Sequence, residues 1–157
     1  MLILKPYILA FWLSMLPVTE LRATVPWIIF TYNDQWLSLV ITAIIGNIIP
    51  AILLLWGLSY VDKLLIDRMN ILAKVYNKVI QRTRRKTLTK MNKYGYLALL
   101  LFVAIPFPGT GVWTGSIGAW LFGLPKKQSL IVISLGAVLA GIIMTLVSKG
   151  IFLNLNI

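Results

Sequence analysis

Long apolar segments, separated by short polar turns and one basic stretch, make up this chain. The longest uncharged run covers residues 94–124. As one straight helix rising about 1.5 Å per residue, this run would be far longer than the ~30 Å hydrocarbon core of a bilayer. Two prolines and two glycines fall within Pro106–Gly111, where they disfavour a continuous helix. The pattern therefore predicts two half-length helices joined by a break, which is a re-entrant hairpin.

A second hairpin of the same kind is predicted earlier in the chain, over residues 7–33. The apolar segments 7–16 and 24–33 are each about half a membrane long. Between them lies a stretch bounded by Pro17 and Pro26, which we expect to interrupt the helix.

Two further apolar segments, residues 36–58 and 129–148, have the length of full transmembrane helices. Between the first of them and the second hairpin lies a segment, residues 60–93, that holds ten of the fifteen basic residues. Its apolar residues recur in steps of three and four, which predicts an amphipathic helix on the membrane surface. We therefore expect a single membrane domain over residues 1–157.

The chain reads as two copies of one unit, a hairpin followed by a transmembrane helix. Pro17 corresponds to Pro106 at an offset of 89 residues, and Gly46 corresponds to Gly136 at an offset of 90. If each hairpin enters and leaves on one face, the basic segments 60–93 and 125–128 both lie in the cytoplasm, as the positive-inside rule requires. The two units then have opposite orientations. The expected fold is an all-α, multi-pass protein of the inner membrane, with two inverted repeats joined by a basic amphipathic cytoplasmic helix.

Composition supports a membrane protein and excludes several kinds of enzyme. Hydrophobic residues make up 59% of the chain and charged residues 12%, against about 25% charged in soluble domains. The chain has no cysteine and no histidine, which excludes disulfides, histidine-assisted nucleophilic catalysis and the commonest zinc ligand sets. We expect a protein that is not an enzyme and needs no cofactor or metal.

The basic cluster does not indicate nucleic-acid binding in a chain of this class. We expect it to contact anionic lipid head groups, or alternatively to dock a partner protein. The residues assigned to this contact are Arg82, Arg84, Arg85 and Lys86.

The candidate chemistry lies at the tips of the two hairpins. Glu20 and Arg22 would sit near the bilayer midplane, where charges are costly and commonly functional. They either pair to hold the loop, or Arg22 binds an anion while Glu20 carries a proton. The second helices would begin near Thr19 and Thr110, and their free N–H groups would form an anion site.

The candidate binding residues at these tips supply hydroxyl groups, close backbone approach or an aromatic surface. The polar amide inside the first span is added to them, since it forms either a helix–helix hydrogen bond or a substrate contact. The full set is Thr19, Glu20, Arg22, Asn47, Pro106, Pro108, Gly109, Thr110, Gly111, Trp113 and Thr114.

Three motifs resemble those of a bacterial and archaeal family named for small multidrug export. They are Leu16-Pro-x-x-Glu-Leu-Arg22, Gly46-Asn-x-x-Pro50 and Pro108-Gly-Thr-Gly-x-Trp-Thr-Gly115. That family is similar to the DedA and VTT superfamily, whose members have two facing re-entrant hairpins and are implicated in moving phospholipids or polyprenyl phosphates, in some cases with protons. By this resemblance, Glu20 and Arg22 match the charged tip of the first hairpin. The second hairpin lacks the arginine of the DedA pattern.

The expected function is therefore a transporter or lipid translocase for an amphiphilic substrate such as a lipid phosphate, with proton coupling through Glu20. Two alternatives stay open at this point. One is export of small cationic drugs, and the other is a non-transporting membrane scaffold that docks a partner through its basic helix. Membrane lipids are expected partners, nucleic acid is not, and a homodimer fits the thin bundle.

Overall fold

A computed structural model describes residues 4–32, 34–68 and 94–155. The secondary structure of this part of the chain is all-helical, with breaks between the helices and no β-strand, as the apolar pattern predicts. Its helices are α1 (Leu4–Met15), α2 (Glu20–Thr31), α3 (Trp36–Arg68), α4 (Tyr94–Ala104), α5 (Val112–Leu121) and α6 (Lys126–Leu155). The four basic residues assigned to head-group contact, Arg82, Arg84, Arg85 and Lys86, lie outside the described residues.

Helices α3 and α6 contain the two segments that are long and apolar enough to cross a membrane. These segments are Trp36–Tyr60 and Lys126–Ile151, with mean hydropathies of 2.4 and 2.7. At about 1.5 Å per residue, both exceed the ~30 Å hydrocarbon core. Both predicted spans, 36–58 and 129–148, lie within these helices. Helix α3 continues without a break as far as Arg68.

The other four helices are short and are joined in pairs by breaks. They have 10 to 12 residues each, and therefore a length of about 15–18 Å. The second break covers residues 105–111 and contains the predicted break at Pro106–Gly111. The first break covers only residues 16–19. Pro26 lies inside α2, which begins at Glu20, so the expectation that the stretch as far as Pro26 interrupts the helix was wrong.

Each hairpin starts beside the long helix that follows it in the chain. The Tyr7 hydroxyl, on α1, lies 2.8 Å from Ser38 Oγ near the start of α3. The Tyr96 hydroxyl, on α4, donates a hydrogen bond to Gln128 Oε1 near the start of α6. The two pairs occupy corresponding places, since their members are offset by 89 and 90 residues.

Helices α3 and α6 run antiparallel. Lys149 Nζ, near the end of α6, lies 3.2 Å from the ring centroid of Trp36 at the start of α3. Closer to the middle, a Cβ built on Gly141 would lie 2.7 Å from Ile44 Cδ1. Because each hairpin starts beside its own long helix, the two hairpins start from opposite ends of the molecule.

Two glycines let the first helix of each hairpin approach its long helix closely. A Cβ on Gly46 would lie 2.6 Å from the Phe11 carbonyl oxygen, so α1 could not pack there against a larger residue. A Cβ on Gly136 would lie 2.9 Å from Val103 Cγ1 and 3.1 Å from the Leu100 carbonyl oxygen of α4. Gly46 and Gly136, paired by the sequence pattern at an offset of 90, therefore have the same packing role.

The second helix of each hairpin packs across the molecule. Helix α1 packs on α3 and α4 packs on α6, whereas α2 contacts α6 and α5 contacts α3. The buried core lies along these helix contacts, and Leu21, Val25 and Ile28 of α2 are fully buried in it. Many large apolar side chains remain on the outside, among them Leu53 and Leu146 at 62% and 67% exposure. Such a surface suits contact with lipid and would promote aggregation in water.

Candidate functional site

The carboxylate of Glu20, at the tip of the first hairpin, lies on the first turn of α5 in the second hairpin. Glu20 is buried, with 6% of its surface exposed. Its Oε1 accepts a long hydrogen bond, 3.4 Å, from the backbone N–H of Trp113, and the N–H of Val112 interacts with the same carboxylate. Val112 and Trp113 begin α5, whose N–H groups have no partner within the helix and carry its positive dipole end. Glu20 therefore caps a helix that lies about ninety residues away in the chain.

The backbone on both sides of this contact is unusual. Glu20 has φ +40°, the only positive φ outside glycine in the described residues. Such a conformation costs about 1–3 kcal/mol and persists only where its surroundings hold it. Opposite it, Gly111 has φ +125°, and a Cβ there would lie 2.8 Å from the Glu20 carboxyl carbon. The contact therefore needs a glycine at position 111 for both conformation and space.

Arg22 joins the same two tips through Thr110. Its guanidinium donates to the Thr110 carbonyl and, at 2.8 Å, to the Thr110 hydroxyl. The same nitrogen lies 4.0 Å from Glu20 Oε2, at the limit of an ion pair, and the Arg22 side chain is 26% exposed. The hydrogen bonds of the Arg22 guanidinium are therefore made chiefly to the second hairpin, and its side chain stays partly accessible.

Thr110 organises the break of the second hairpin. Its Oγ1 lies 2.8 Å from the carbonyl oxygens of Ile105 and Phe107, and 3.2 Å from the Phe107 backbone nitrogen. A hydroxyl has one hydrogen, so it donates to one carbonyl at a time while it accepts from Phe107 and Arg22. Backbone groups released by the proline-rich break are satisfied in this way.

Trp113 makes the reciprocal contact from the second hairpin to the first. Its indole Nε1 donates to the carbonyl of Met15, the last residue of α1, at 2.9 Å. The indole also lines a pocket of about 370 Å³ between the first tip and α3. The other residues of this Trp113 pocket are apolar: Trp12, Met15, Leu16, Pro50, Leu53, Leu54, Gly57 and Leu58.

The structure brings Glu20, Arg22, Thr110, Gly111 and Trp113 together, all of them predicted site residues. The expectation that the first N–H groups of α5 are free was wrong, because Glu20 occupies them. The second helices begin at Glu20 and Val112, one and two residues after the expected starts near Thr19 and Thr110.

The remaining predicted residues lie around this contact or away from it. Thr19 is the N-cap residue of α2, but its hydroxyl donates to the Leu13 carbonyl at the end of α1. Pro108 and Gly109 are exposed at the tip, and Pro106 is half-buried. Thr114 is exposed, with its Oγ1 3.5 Å from the Gly111 carbonyl oxygen.

Asn47 lies on α3, buried to 2% exposure, and its Oδ1 has no partner among the described residues. Thr24 Oγ1 is in the same state, and sequence reasoning did not single it out. Thr24 follows Glu20 by four residues and so lies on the same face of α2, which is a signal that could have found it. Sequence reasoning also missed the backbone carbonyls of Leu13, Met15 and Ile105 as acceptors. Every residue has a backbone carbonyl, so the residue type does not indicate which of them accepts a hydrogen bond.

The helices and the outer surface define the class of this protein. Two helices long enough to span a membrane, four short apolar helices and an apolar outer surface belong to a helical membrane protein. The chain belongs to the family described as "Putative small multi-drug export protein", whose model matches residues 20–143. That description indicates a transporter rather than an enzyme. Comparison with curated proteins and with solved structures gave no match.

Proposed function

We propose that the protein is an inner-membrane transporter that moves an amphiphilic anion, such as a lipid phosphate, and that the two hairpin tips form its substrate site. The observation that carries this proposal is the position of the Glu20 carboxylate on the N-terminus of α5. An acidic side chain already occupies a place that is suited to the phosphate of a substrate.

In the proposed membrane arrangement, α3 and α6 span the bilayer and the two hairpins are re-entrant inverted repeats. Their helix lengths of about 15–18 Å would take each tip to the midplane of a ~30 Å core. The antiparallel packing of α3 and α6 supports this arrangement, because it puts the end of α3 and the start of α6 at the same face. Lys126 and Lys127 then lie on the same side of the membrane as Arg68 at the end of α3, which is the cytoplasmic side by the positive-inside rule.

Glu20 and the substrate would compete for the N-terminus of α5, and this competition would couple transport to the protonation of Glu20. A phosphate entering the tips would take the N–H groups of Val112 and Trp113 and meet Arg22. The ionised carboxylate of Glu20 opposes this by occupancy and by charge. Protonation of Glu20 removes that charge, so binding of the proton and of the anion favour each other. The charged group found near Glu20 in the described residues is Arg22.

The apolar part of the substrate would lie in the Trp113 pocket. This pocket adjoins the tips through Trp113 itself, whose backbone N–H contacts Glu20 and whose ring lines the pocket. Binding a charged head and an apolar chain side by side is what an amphiphile requires. A small hydrophilic anion would leave the pocket empty.

The test uses the purified full-length chain in liposomes and follows transbilayer movement of a labelled polyprenyl phosphate, with and without a pH gradient. Movement by the wild type that rises with the gradient, and loss of this dependence in Glu20→Gln, would support the proposal. Asp34→Asn is the matched control, since Asp34 is an exposed acid away from the tips. Equal, gradient-dependent movement by Glu20→Gln would refute the role of Glu20.

Export of small cationic drugs is the second candidate, and the family description favours it. In that function the buried Glu20 carboxylate would be the counter-charge of the drug, and Arg22 would oppose binding. Drug susceptibility of a deletion strain separates the two. Increased sensitivity to cationic amphiphiles, without movement of polyprenyl phosphate in liposomes, would favour drug export.

A further inference from the structure

A second apolar groove lies within the second hairpin, between α4 and α5, away from the tip contact. It encloses about 220 Å³, and Thr114 supplies the hydroxyl in an otherwise apolar lining. The residues of this hairpin groove are Gly95, Ala98, Leu99, Phe102, Thr114, Gly115, Gly118, Ala119, Phe122 and Leu124. For comparison, an engineered apolar cavity of about 150 Å³ holds a benzene molecule.

Small residues keep this groove open. A Cβ built on Gly118 would meet no atom within 4 Å, so the helices do not close over that position. The floor of the groove is buried at Leu99 and Ala119, while Ala98 and Phe102 on its rim are exposed. The groove therefore opens sideways, towards the surroundings of the bundle.

The groove runs from one end of the molecule towards the tips. Gly95 and Leu124 mark the end where α4 and α6 begin, and Thr114 marks the end beside the tip. The eight helical residues from Thr114 to Leu121 correspond to about 12 Å, which is most of one leaflet of a ~30 Å core, and the groove continues to Leu124 beyond the end of α5. Lys126 and Lys127 follow Leu124 after one residue, Pro125, and Lys127 is exposed.

We propose that the hairpin groove holds one hydrocarbon chain of an anionic inner-leaflet phospholipid, with the phosphate at Lys126 and Lys127. A lipid in this position keeps its ordinary orientation, with its charge at the surface and its chain pointing to the midplane. Charge complementarity at one end and an apolar lining along the rest select this occupant. The inference rests on the proposed membrane orientation and not on transport.

Photo-crosslinking tests the site directly. The full-length chain is reconstituted in phosphatidylcholine nanodiscs that contain a little phosphatidylglycerol with a diazirine in the middle of one chain. We expect crosslinks on α4 and α5 at the groove residues. In Gly118→Trp, which fills the groove, we expect this labelling to fall about tenfold, because the chain loses its apolar contacts. Gly150→Trp is the control, since a Cβ there also meets nothing within 4 Å.

A second variant guards against a folding defect in Gly118→Trp. Replacing Lys126 and Lys127 by Gln leaves the groove intact and should abolish the preference for phosphatidylglycerol over an equally labelled phosphatidylcholine. Unchanged labelling in Gly118→Trp, or no lipid preference in the wild type, would each overturn the proposal. The assay reads binding, so a failed transport experiment leaves its result unaffected.

Discussion

Glu20 and Gly111 share one small space where the two hairpins meet. The Glu20 carboxyl carbon would lie 2.8 Å from a Cβ on Gly111, and both residues have a positive φ. Although these residues are 91 positions apart in the chain, each limits the space open to the other. The contact between the hairpins depends on the absence of a side chain at Gly111.

The first prediction is that Gly111→Ala destabilises the protein by about 2 kcal/mol or more, because the new Cβ is strained and collides with Glu20. Thermal unfolding in detergent measures the change. Gly118→Ala is the control, and we expect it to be neutral or slightly stabilising, since its Cβ meets nothing and alanine favours helix. Equal unfolding temperatures for Gly111→Ala and wild type would contradict the geometry described.

The second prediction concerns the close approach of α1 to α3. Gly46→Ala should cost about 1–3 kcal/mol, because the added Cβ would collide with the Phe11 carbonyl and push the helices apart. Gly57→Ala, in the same helix, places its Cβ in open space and should cause no loss. If both variants unfold at the wild-type temperature, α1 does not pack on α3 as described.

The third prediction separates the two functions of the Thr110 side chain, its hydroxyl and its volume. Thr110→Val removes the hydroxyl that bonds the break and accepts from Arg22, so the backbone groups of Ile105 and Phe107 lose this partner. We expect a loss of about 1 kcal/mol in stability and a reduced rate of transport. Thr110→Ser keeps the hydroxyl and should retain most of both. A valine variant as stable and active as the serine variant would rule out this role.

The fourth prediction tests the indole hydrogen bond. Trp113→Phe keeps an aromatic ring in the Trp113 pocket but removes the donor to the Met15 carbonyl, at a cost of about 1 kcal/mol. Trp12→Phe changes an indole that lines the same pocket and is 60% exposed, so it should be closer to neutral. Indistinguishable unfolding curves for the two variants would indicate that the bond contributes nothing.

The fifth prediction concerns the proposed orientation of the two hairpins in the membrane. Because the chain has no cysteine, single cysteines can be introduced at the exposed positions Gln35 and Lys127. Impermeant maleimide added to sealed cells should label Gln35→Cys only, and Lys127→Cys should react only after the cells are opened. Labelling of both from the same side would exclude the re-entrant arrangement in favour of four full spans.

Residue types alone predicted the helices and breaks of this fold better than they predicted the contacts between the helices. The break at Pro106–Gly111 follows from run length and from residues that oppose helix, and both are local properties. The equivalence of Gly46 and Gly136 was visible as an offset. The continuity of α2 through Pro26 was not visible in the sequence. A proline at that position ordinarily disfavours a helix, but here it is accommodated within a packed one.

The occupant of the α5 N-terminus was also beyond prediction from sequence. Sequence reasoning identified Glu20, Arg22 and the helix end as parts of one site, but it left the helix end free for a ligand. Which group fills that place depends on the distance between two tips, to within an ångström, and on the absence of a side chain at Gly111. Neither quantity is encoded in a local pattern.

The crossed packing of the hairpins also has a consequence for how the protein is made. The ribosome adds about 5–20 residues per second, so α5 emerges roughly five to twenty seconds after Glu20 has been synthesised. Until then the first hairpin has neither its carboxylate partner nor the long helix α6 on which α2 packs. The first half of the molecule therefore stays incompletely packed until the second half has been synthesised. The contacts that join the two hairpins can therefore form only late in synthesis.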